Sequence, residues 1–396
     1  MQKVYFFVAK QCNLLYDSKR TKYQRRATMR VLRYLKKNIV FFIAAMAALV
    51  TCFFVPPDAQ YGDYFDWKTL ACLFITLAVV CALRNIKFFT ILARKLVVAA
   101  GNLRSLFLLL LTITFIGSML IANDMALITF LPLGYFALNA TKNQKYMAYL
   151  FILQNIAANL GGMLTPFGNP QNLYLYSYFN IPTGEFCLIM LPPFLLAIGM
   201  LAVACLFVGR EELIIVDHFS EKLKVGKTAL YLALFAFSLL IVFRVIPFWW
   251  GLILIPAVLL IADRKALQMV DYSLLGTFFF FFIFAGNLAR IEGVNALISS
   301  VLQKEPLLIS AMSCQVISNV PSAILLSRFT LDYRSLLLGV NIGGAGTLIA
   351  SLASLITFSE FRVLYPGHGK SYFWKFTYIN AIFLGVLLIA ARLFFI

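Results

Sequence analysis

Charge is scarce in this chain of 396 residues: 13% of the residues are charged against 62% apolar, and the mean hydropathy is +0.88. A water-soluble domain cannot bury that much apolar surface, which excludes a soluble enzyme or binding module. Histidine is scarcer still. His218 and His368 both fall in polar stretches between apolar segments, so no intramembrane histidine is on offer as base, proton carrier or metal ligand. The seven cysteines, at 12, 52, 72, 81, 187, 205 and 314, form no CxxC pair and read as isolated thiols. No GxxxxGK[ST] loop is present, so ATP hydrolysis within the chain is not expected, and neither is any organic cofactor. An intramembrane protease would need a nucleophile facing a base, and Ser318 has no buried His or Lys near it in sequence. The chain is not expected to be an enzyme.

What the sequence does hold is membrane. About 20 apolar residues cross a hydrocarbon core of roughly 30 Å. Full spans are predicted near 39–55, 67–83, 146–178, 186–208, 228–244, 248–262, 272–289, 334–358 and 374–395, with 146–178 and 334–358 interrupted. Two further apolar segments, 105–140 and 306–328, are broken in the middle by Ala122-Asn123-Asp124 and Ser318-Asn319-Val320-Pro321. They read as re-entrant hairpins, the alternative being one or two ordinary spans each.

Acids are outnumbered, 16 against 34 Lys and Arg, for a net charge of +18. The arm 1–38 carries eleven basic residues and one acid, Asp17, which places it in the cytoplasm by the positive-inside rule. Threading the spans from there puts the C-terminus outside. Nucleic acid is not the expected partner. In Thr28 to Lys37, Val31, Leu32, Tyr34 and Leu35 alternate with cations, the pattern of a helix lying on an anionic lipid surface. The arm is too long and too basic for a cleaved leader, so 39–55 reads as a retained span.

One polar, glycine-rich stretch occurs twice. Residues 159–172 read NLGGMLTPFGNPQN and 341–354 read NIGGAGTLIASLAS. Asn159 aligns with Asn341, Gly161 with Gly343, Gly162 with Gly344, Thr165 with Thr347, Gly168 with Ala350 and Asn169 with Ser351. The repeat extends outward, since Asp66-Trp67 opens one span and Asp271-Tyr272 another before each hairpin. From the span at 67 to the span at 272 the chain makes five crossings, an odd number, so the second half is predicted to be inverted, as in secondary transporters. The reading is an all-α polytopic membrane protein with an inverted repeat. It divides into an arm (1–38), a first repeat (39–208; hairpin 105–140, broken helix 146–178), a cytoplasmic loop with linking span (209–246) and a second repeat (247–396; hairpin 306–328, broken helix 334–358).

Non-helical backbone at membrane depth is tolerated only inside protein or against a cavity. At a break, freed N–H groups offer positive dipole ends to an anion and freed carbonyls suit a cation. Close helix packing through small residues is the competing explanation. The paired breaks and hairpin tips therefore supply the candidate substrate and ion site: Asn123, Asp124, Asn159, Gly162, Thr165, Gly168 and Asn169 from the first half, and Ser318, Asn319, Asn341, Gly344, Thr347, Ala350 and Ser351 from the second. Asp124 is an ionisable group at depth, expected to titrate or to hold the coupling cation unless it is paired with Arg328 or Arg104.

The motifs Asn123-Asp124-Met125-Ala126-Leu127, Asn159-x-Gly-Gly with Thr165-Pro166-x-Gly168-Asn169-Pro170-Gln171-Asn172, Ser318-Asn319-Val320-Pro321, and Asn341-x-Gly-Gly with Thr347-Leu348-Ile349-Ala350-Ser351 resemble the ion transporter superfamily. That group contains citrate-transporter-like permeases, divalent anion:sodium symporters, arsenite pump subunits and one class of sodium/proton antiporters. The resemblance covers roughly residues 40–396. It implies an elevator-type carrier, usually a homodimer, with Asn123, Thr165, Gly168 and Asn169 in one half of the site and Ser318, Asn319, Thr347, Ala350 and Ser351 in the other. The sodium-coupled dicarboxylate members show Ser-Asn-Thr at both tips, and this chain lacks that threonine twice.

The expected function is secondary transport of a small anion across a plasma or inner membrane, coupled to H⁺ or Na⁺. A Na⁺ at the hairpin tips is the one metal ion the pattern leaves open. Arsenite or antimonite efflux and sodium/proton exchange are the alternatives, with an anion channel as a rival outside carriers.

Overall fold

The computed structural model describes residues 38–213 and 223–395. The basic arm, its lipid-surface segment and His218 lie outside the described residues, so the expectations placed on them are not addressed by the fold. Among the described residues the chain is helical, with one isolated antiparallel bridge, Asn102 to Glu212, and no named strand.

The first half runs α1 (Ile39–Phe54), α2 (Trp67–Asn85), α3 (Phe88–Val98), α4 (Leu103–Ile121), α5 (Asn123–Ala140), α6 (Met147–Gly161), α7 (Pro170–Tyr178) and α8 (Thr183–Leu206). The second runs α9 (Val225–Val242), α10 (Phe248–Ala262), α11 (Arg264–Gln268), α12 (Tyr272–Arg290), α13 (Glu292–Lys304), α14 (Pro306–Ile317), α15 (Asn319–Leu326), α16 (Tyr333–Gly343), α17 (Leu352–Leu364) and α18 (Gly369–Ala390). From α2 to α8 and again from α12 to α18 the order is the same: long helix, short helix, helical hairpin, helix broken in two, long helix. Local chemistry starts these elements. Asp66 and Asp271 cap α2 and α12 by accepting the Thr69 and Leu274 N–H groups, both at 3.0 Å, while Pro170 and Pro306 open α7 and α14 where a missing N–H costs nothing.

Among the described residues, seven helical stretches are long and apolar enough to cross a membrane: Trp67–Asn85, Leu103–Ile121, Gln144–Leu164, Thr183–Leu206, Val225–Val242, Tyr272–Arg290 and Gly369–Phe395. The chain is therefore a multi-pass membrane protein. The count differs from the nine spans expected. Ile39–Phe54 and Phe248–Ala262 have 16 and 15 residues, too short at about 1.5 Å per residue for roughly 30 Å of hydrocarbon without thinning or flanking residues. The stretch 334–358 is divided into two short helices. Leu103–Ile121, expected as a hairpin arm, has full crossing length. Apolar runs in sequence do not reveal where the helix within them stops.

The two hairpins turn at Ala122 and Ser318. In the first, Gly117 lies against the Phe130 ring, and the Gln154 amide reaches Thr114 on one arm (3.1 Å) and the Phe130 carbonyl on the other (3.3 Å), so α4 and α5 run antiparallel. The α6 helix is the centre of the fold. Every residue from Leu150 to Gly161 is buried, enclosed by α4, α5, α8, α17 and α18. Gly161 and Gly343 make the double glycines packing devices as well: a Cβ on Gly161 would collide with the Phe115 carbonyl, and one on Gly343 would come within 2.9 Å of the Ala311 backbone. Each broken helix thereby presses its end against a hairpin arm.

Candidate functional site

Each hairpin tip is made by one residue in a conformation L-residues rarely adopt, Ala122 at φ 65, ψ 151 and Ser318 at φ 75, ψ 158. The next residue is asparagine in both. Its side-chain oxygen accepts the following N–H, Asp124 N to Asn123 and Val320 N to Asn319, each at 2.9 Å, which satisfies one amide that a helix start leaves free. The threonines of the breaks then bind the hairpins in matching fashion. Thr165 Oγ1 donates to the Met119 carbonyl at 2.9 Å, and Thr347 Oγ1 donates to the Gln315 carbonyl at 3.2 Å, each acceptor standing three residues before its tip.

The breaks also hold one another. Ser351 Oγ and Asn123 Nδ2 both donate to Asn159 Oδ1, at 2.8 and 3.0 Å. In the reverse direction Asn169 Nδ2 reaches Asn341 Oδ1 at 3.5 Å and the Asn159 carbonyl at 3.3 Å. The polar residue that closes each break thus points to the asparagine that opens the other. Asn341 adds a donor bond to Asn172 Oδ1 at 2.6 Å and accepts from Gln171 at 3.4 Å. Asn319 N and Ser318 Oγ both reach the Ala350 carbonyl, at 2.9 and 3.3 Å. Asn123, Asn159, Asn169, Asn319, Asn341 and Ser351 are all at most 4% exposed. So much buried amide persists because nearly every group has a partner. The exceptions are Asn159 Nδ2, Asn169 Oδ1 and Gln171 Oε1, which have none.

A cavity of about 310 Å³ opens beside this network. Four helix starts belonging to the hairpins and the breaks reach its wall: Asn123 and Asp124 of α5, Pro170 and Gln171 of α7, Ser318 and Asn319 at the start of α15, Ser351 and Leu352 at the start of α17. Their dipoles direct partial positive charge into one space. The rest of the wall is supplied mainly by α1 and α12, with Phe281 and Phe284 giving an apolar side. A smaller cavity of about 70 Å³ shares Asp124, Pro170 and Asp271 with it.

Of the fourteen residues singled out in the sequence, Asn123, Asp124, Ser318, Asn319 and Ser351 line the main cavity. Asn159, Asn169 and Asn341 stand behind them as the buried scaffold of the tips. Gly162 and Gly344 are close-approach positions, against Asn169 and Asn319 respectively, and Gly168 lies against the Gly162 carbonyl. Thr165, Thr347 and Ala350 act through the bonds just described, and Thr347 is exposed. Asp124 is not paired as the competing reading had it: Arg104 donates to the Val208 and Leu206 carbonyls and Arg328 to the Tyr64 carbonyl. Asp124 Oδ1 is buried without a hydrogen-bond partner. Two wall residues escaped the sequence reading, Gln171 and Asp271. Gln171 sits inside the first glycine-rich stretch, and Asp271 is an acid opening an apolar helix. Nothing in the sequence says that Asp271 faces a hairpin tip some 150 residues away.

A family model described as citrate transporter matches residues 28–333. The chain is 34% identical over 293 residues to the uncharacterized transporter MJ0456 of Methanocaldococcus jannaschii, an alignment covering 74% of this chain and 80% of that protein. It is 27% identical over 356 residues to the inner membrane protein YbiR of Escherichia coli K12, covering 87% and 92%. A shorter match, 31% over 156 residues, covers 39% of this chain and 31% of the silicon efflux transporter LSI3 of Oryza sativa subsp. japonica. The chain is a membrane transporter, not an enzyme, and belongs to the citrate transporter family.

Proposed function

We propose that this protein is a secondary carrier that moves a small oxygen-bearing anion by alternating access, coupled to H⁺ or Na⁺. The observation that carries the reading is the meeting of four helix starts, those of α5, α7, α15 and α17, at one cavity. Dipoles and free N–H groups bind an anion without a fixed cationic side chain, so the anion is held by groups that move as the protein rearranges and is not trapped by a buried ion pair. Asp124, at the α5 start, supplies a carboxylate for the coupling ion. On this reading the two matching series of helices form an inverted repeat with re-entrant hairpins, and the hairpins with the broken helices travel as one body past the remaining helices. The carrier is a homodimer in a plasma or inner membrane, its N-terminus cytoplasmic and its C-terminus outside.

A second reading, efflux of a neutral oxyacid such as arsenite or silicic acid, is favoured by one specific feature. Among the described residues no Lys or Arg lines the cavity, which suits a weak acid better than a fully ionised tricarboxylate, and one relative is named for silicon efflux. Sodium/proton exchange without organic substrate is the third outcome.

Uptake into proteoliposomes decides among them. Citrate, succinate, sulfate and arsenite are offered under imposed Na⁺ or H⁺ gradients, with the Asn123→Ala plus Asn319→Ala double variant as control. Gradient-driven accumulation of a carboxylate or sulfate, lost in the double variant, is expected. Movement of arsenite alone, or cation exchange with no anion flux, overturns the anion reading in favour of a rival.

A further inference from the structure

Asp271 has a structural occupation, since it accepts the Leu274 N–H at 3.0 Å and caps α12. Asp66 does the same for α2, accepting from Thr69 N at 3.0 Å. The two caps differ in where they stand. Asp66 lines neither cavity beside the hairpin tips, whereas Asp271 lines both, and so does Asp124. The two carboxylates are close enough for their charges to interact. Among the described residues they are the only titratable side chains on the two cavity walls. Of the charged groups on the neighbouring elements, Arg84 of α2 donates to the sulfur of Met125 at 3.4 Å at the edge of the smaller cavity, and Asp263 accepts from Asn85 at 2.7 and 2.9 Å.

Two carboxylates that line the same confined space repel each other when both are ionised. Neutral oxygen donors stand beside them. Gln171, 1% exposed and on the wall of the larger cavity, has an Oε1 with no partner, and Asp124 Oδ1 is likewise without a hydrogen-bond donor. Two carboxylates with an amide oxygen, Asp124 Oδ1 and Gln171 Oε1 being without donors, are the ligand chemistry of a small hard cation or a shared proton.

We propose that Asp124, Asp271 and the Gln171 side-chain oxygen form a cation site at the seam between the α5 tip and the α12 start, occupied by Na⁺ or by a proton held on one carboxyl and donated to the other. The inference rests on the ion-coupled carrier reading and deepens it. Asp124 belongs to a hairpin and Asp271 to a long helix outside both hairpins and both broken helices. A positive charge between them holds those two bodies in the arrangement seen here, and its departure sets them repelling. The coupling ion thereby acts on the position of the hairpin as well as on the substrate.

The test uses substitutions that keep the cap, because Asn caps a helix as well as Asp does. The full-length protein and its Asp124→Asn, Asp271→Asn and Asp66→Asn variants are purified, and thermal unfolding is followed while NaCl replaces choline chloride at fixed pH, then across a pH series without Na⁺. Wild type is expected to be stabilised by Na⁺ or by protons. Asp124→Asn and Asp271→Asn should each move the midpoint of that response by about tenfold or more, which is the effect of removing one of two charged ligands, while Asp66→Asn leaves it unchanged. The inference is overturned if wild type responds to neither ion, if Asp271→Asn keeps the wild-type response, or if Asp66→Asn loses it equally, which would make the effect one of capping. Uptake measurements separate the two levels. Cation-driven uptake that Asp271→Asn preserves removes the site and leaves the carrier. A cation response lost in Asp271→Asn without any driven anion uptake in wild type leaves the site and removes the anion carrier.

Discussion

Asn159 shows what a single side chain has to do here. Its Oδ1 accepts from Asn123 of the first hairpin and from Ser351 of the second break, and it is 2% exposed. Removing it strands two buried donors, at about 1–3 kcal/mol for each unsatisfied group. Asn159→Ala is therefore expected to lower unfolding stability by about 2 kcal/mol or more and to abolish uptake, whereas Asn159→Asp keeps an acceptor oxygen for both donors and loses less stability than the alanine variant; thermal unfolding with uptake checks both. A surface contact gives a contrasting residue-scale case. Asp58 takes bidentate bonds from Arg290 at 2.6 and 3.0 Å, and the adjacent guanidinium holds its carboxyl below the ordinary range. A lowered folded value means that the contribution is fully present above the ordinary carboxylate value of about 4 and is lost as pH falls through the lower one. The melting-temperature gap between wild type and Asp58→Asn should be constant near neutrality and close on acidification below about pH 4.

Among the elements, the hairpins carry the testable strain. Ala122 and Ser318 sit at φ 65 and 75 with extended ψ, a region costing of order 1–3 kcal/mol for a residue with a Cβ and little for glycine. Ala122→Gly is expected to raise stability by about 1 kcal/mol, and Ala122→Val to lower it by more; a loss of stability in the glycine variant would show that the tip is not strained. The double glycines belong to the same scale. Gly161→Ala drives a Cβ into the Phe115 carbonyl, with no flexible side chain to yield, and should separate the break from the hairpin at a cost of about 1–3 kcal/mol.

At the scale of the whole molecule the two halves are joined through the reciprocal bonds of the breaks. A double-mutant cycle on Asn169→Ala and Asn341→Ala, which lie in different halves, should give a coupling of roughly 0.5–3 kcal/mol. Additive losses would mean that each half keeps its break independently. Topology and assembly are tested at this scale too. A reporter fused to the C-terminus should be active only outside the cell, and mass measurement in native-like lipid should give a dimer.

Much of this was legible in residues taken singly. Gly161-Gly162 with Pro166 and Pro170 mark a helix that cannot continue, because a proline lacks the N–H and a glycine pair adds backbone freedom. The asparagines at 123 and 319 stand in apolar runs where an amide must find partners. Chain length within an apolar run was not legible, and so Leu103–Ile121 proved long enough to cross while Ile39–Phe54 and Phe248–Ala262 fell short. Nor was the division of labour among the motif residues, since Thr347 and Thr165 bind hairpin carbonyls and do not line the cavity.

Composition alone determined that the chain lives in a membrane, because hydrophobic surface on this scale has no other solvent. The repeated stretch alone determined that two breaks exist, because local backbone chemistry is written in adjacent residues. Only the tertiary structure decided that Ser351 meets Asn159, that four helix starts face one cavity, and that Asp271 stands with Asp124 at its wall. Those contacts join residues separated by well over a hundred positions, and such proximity is fixed by how helices pack, which no local pattern encodes.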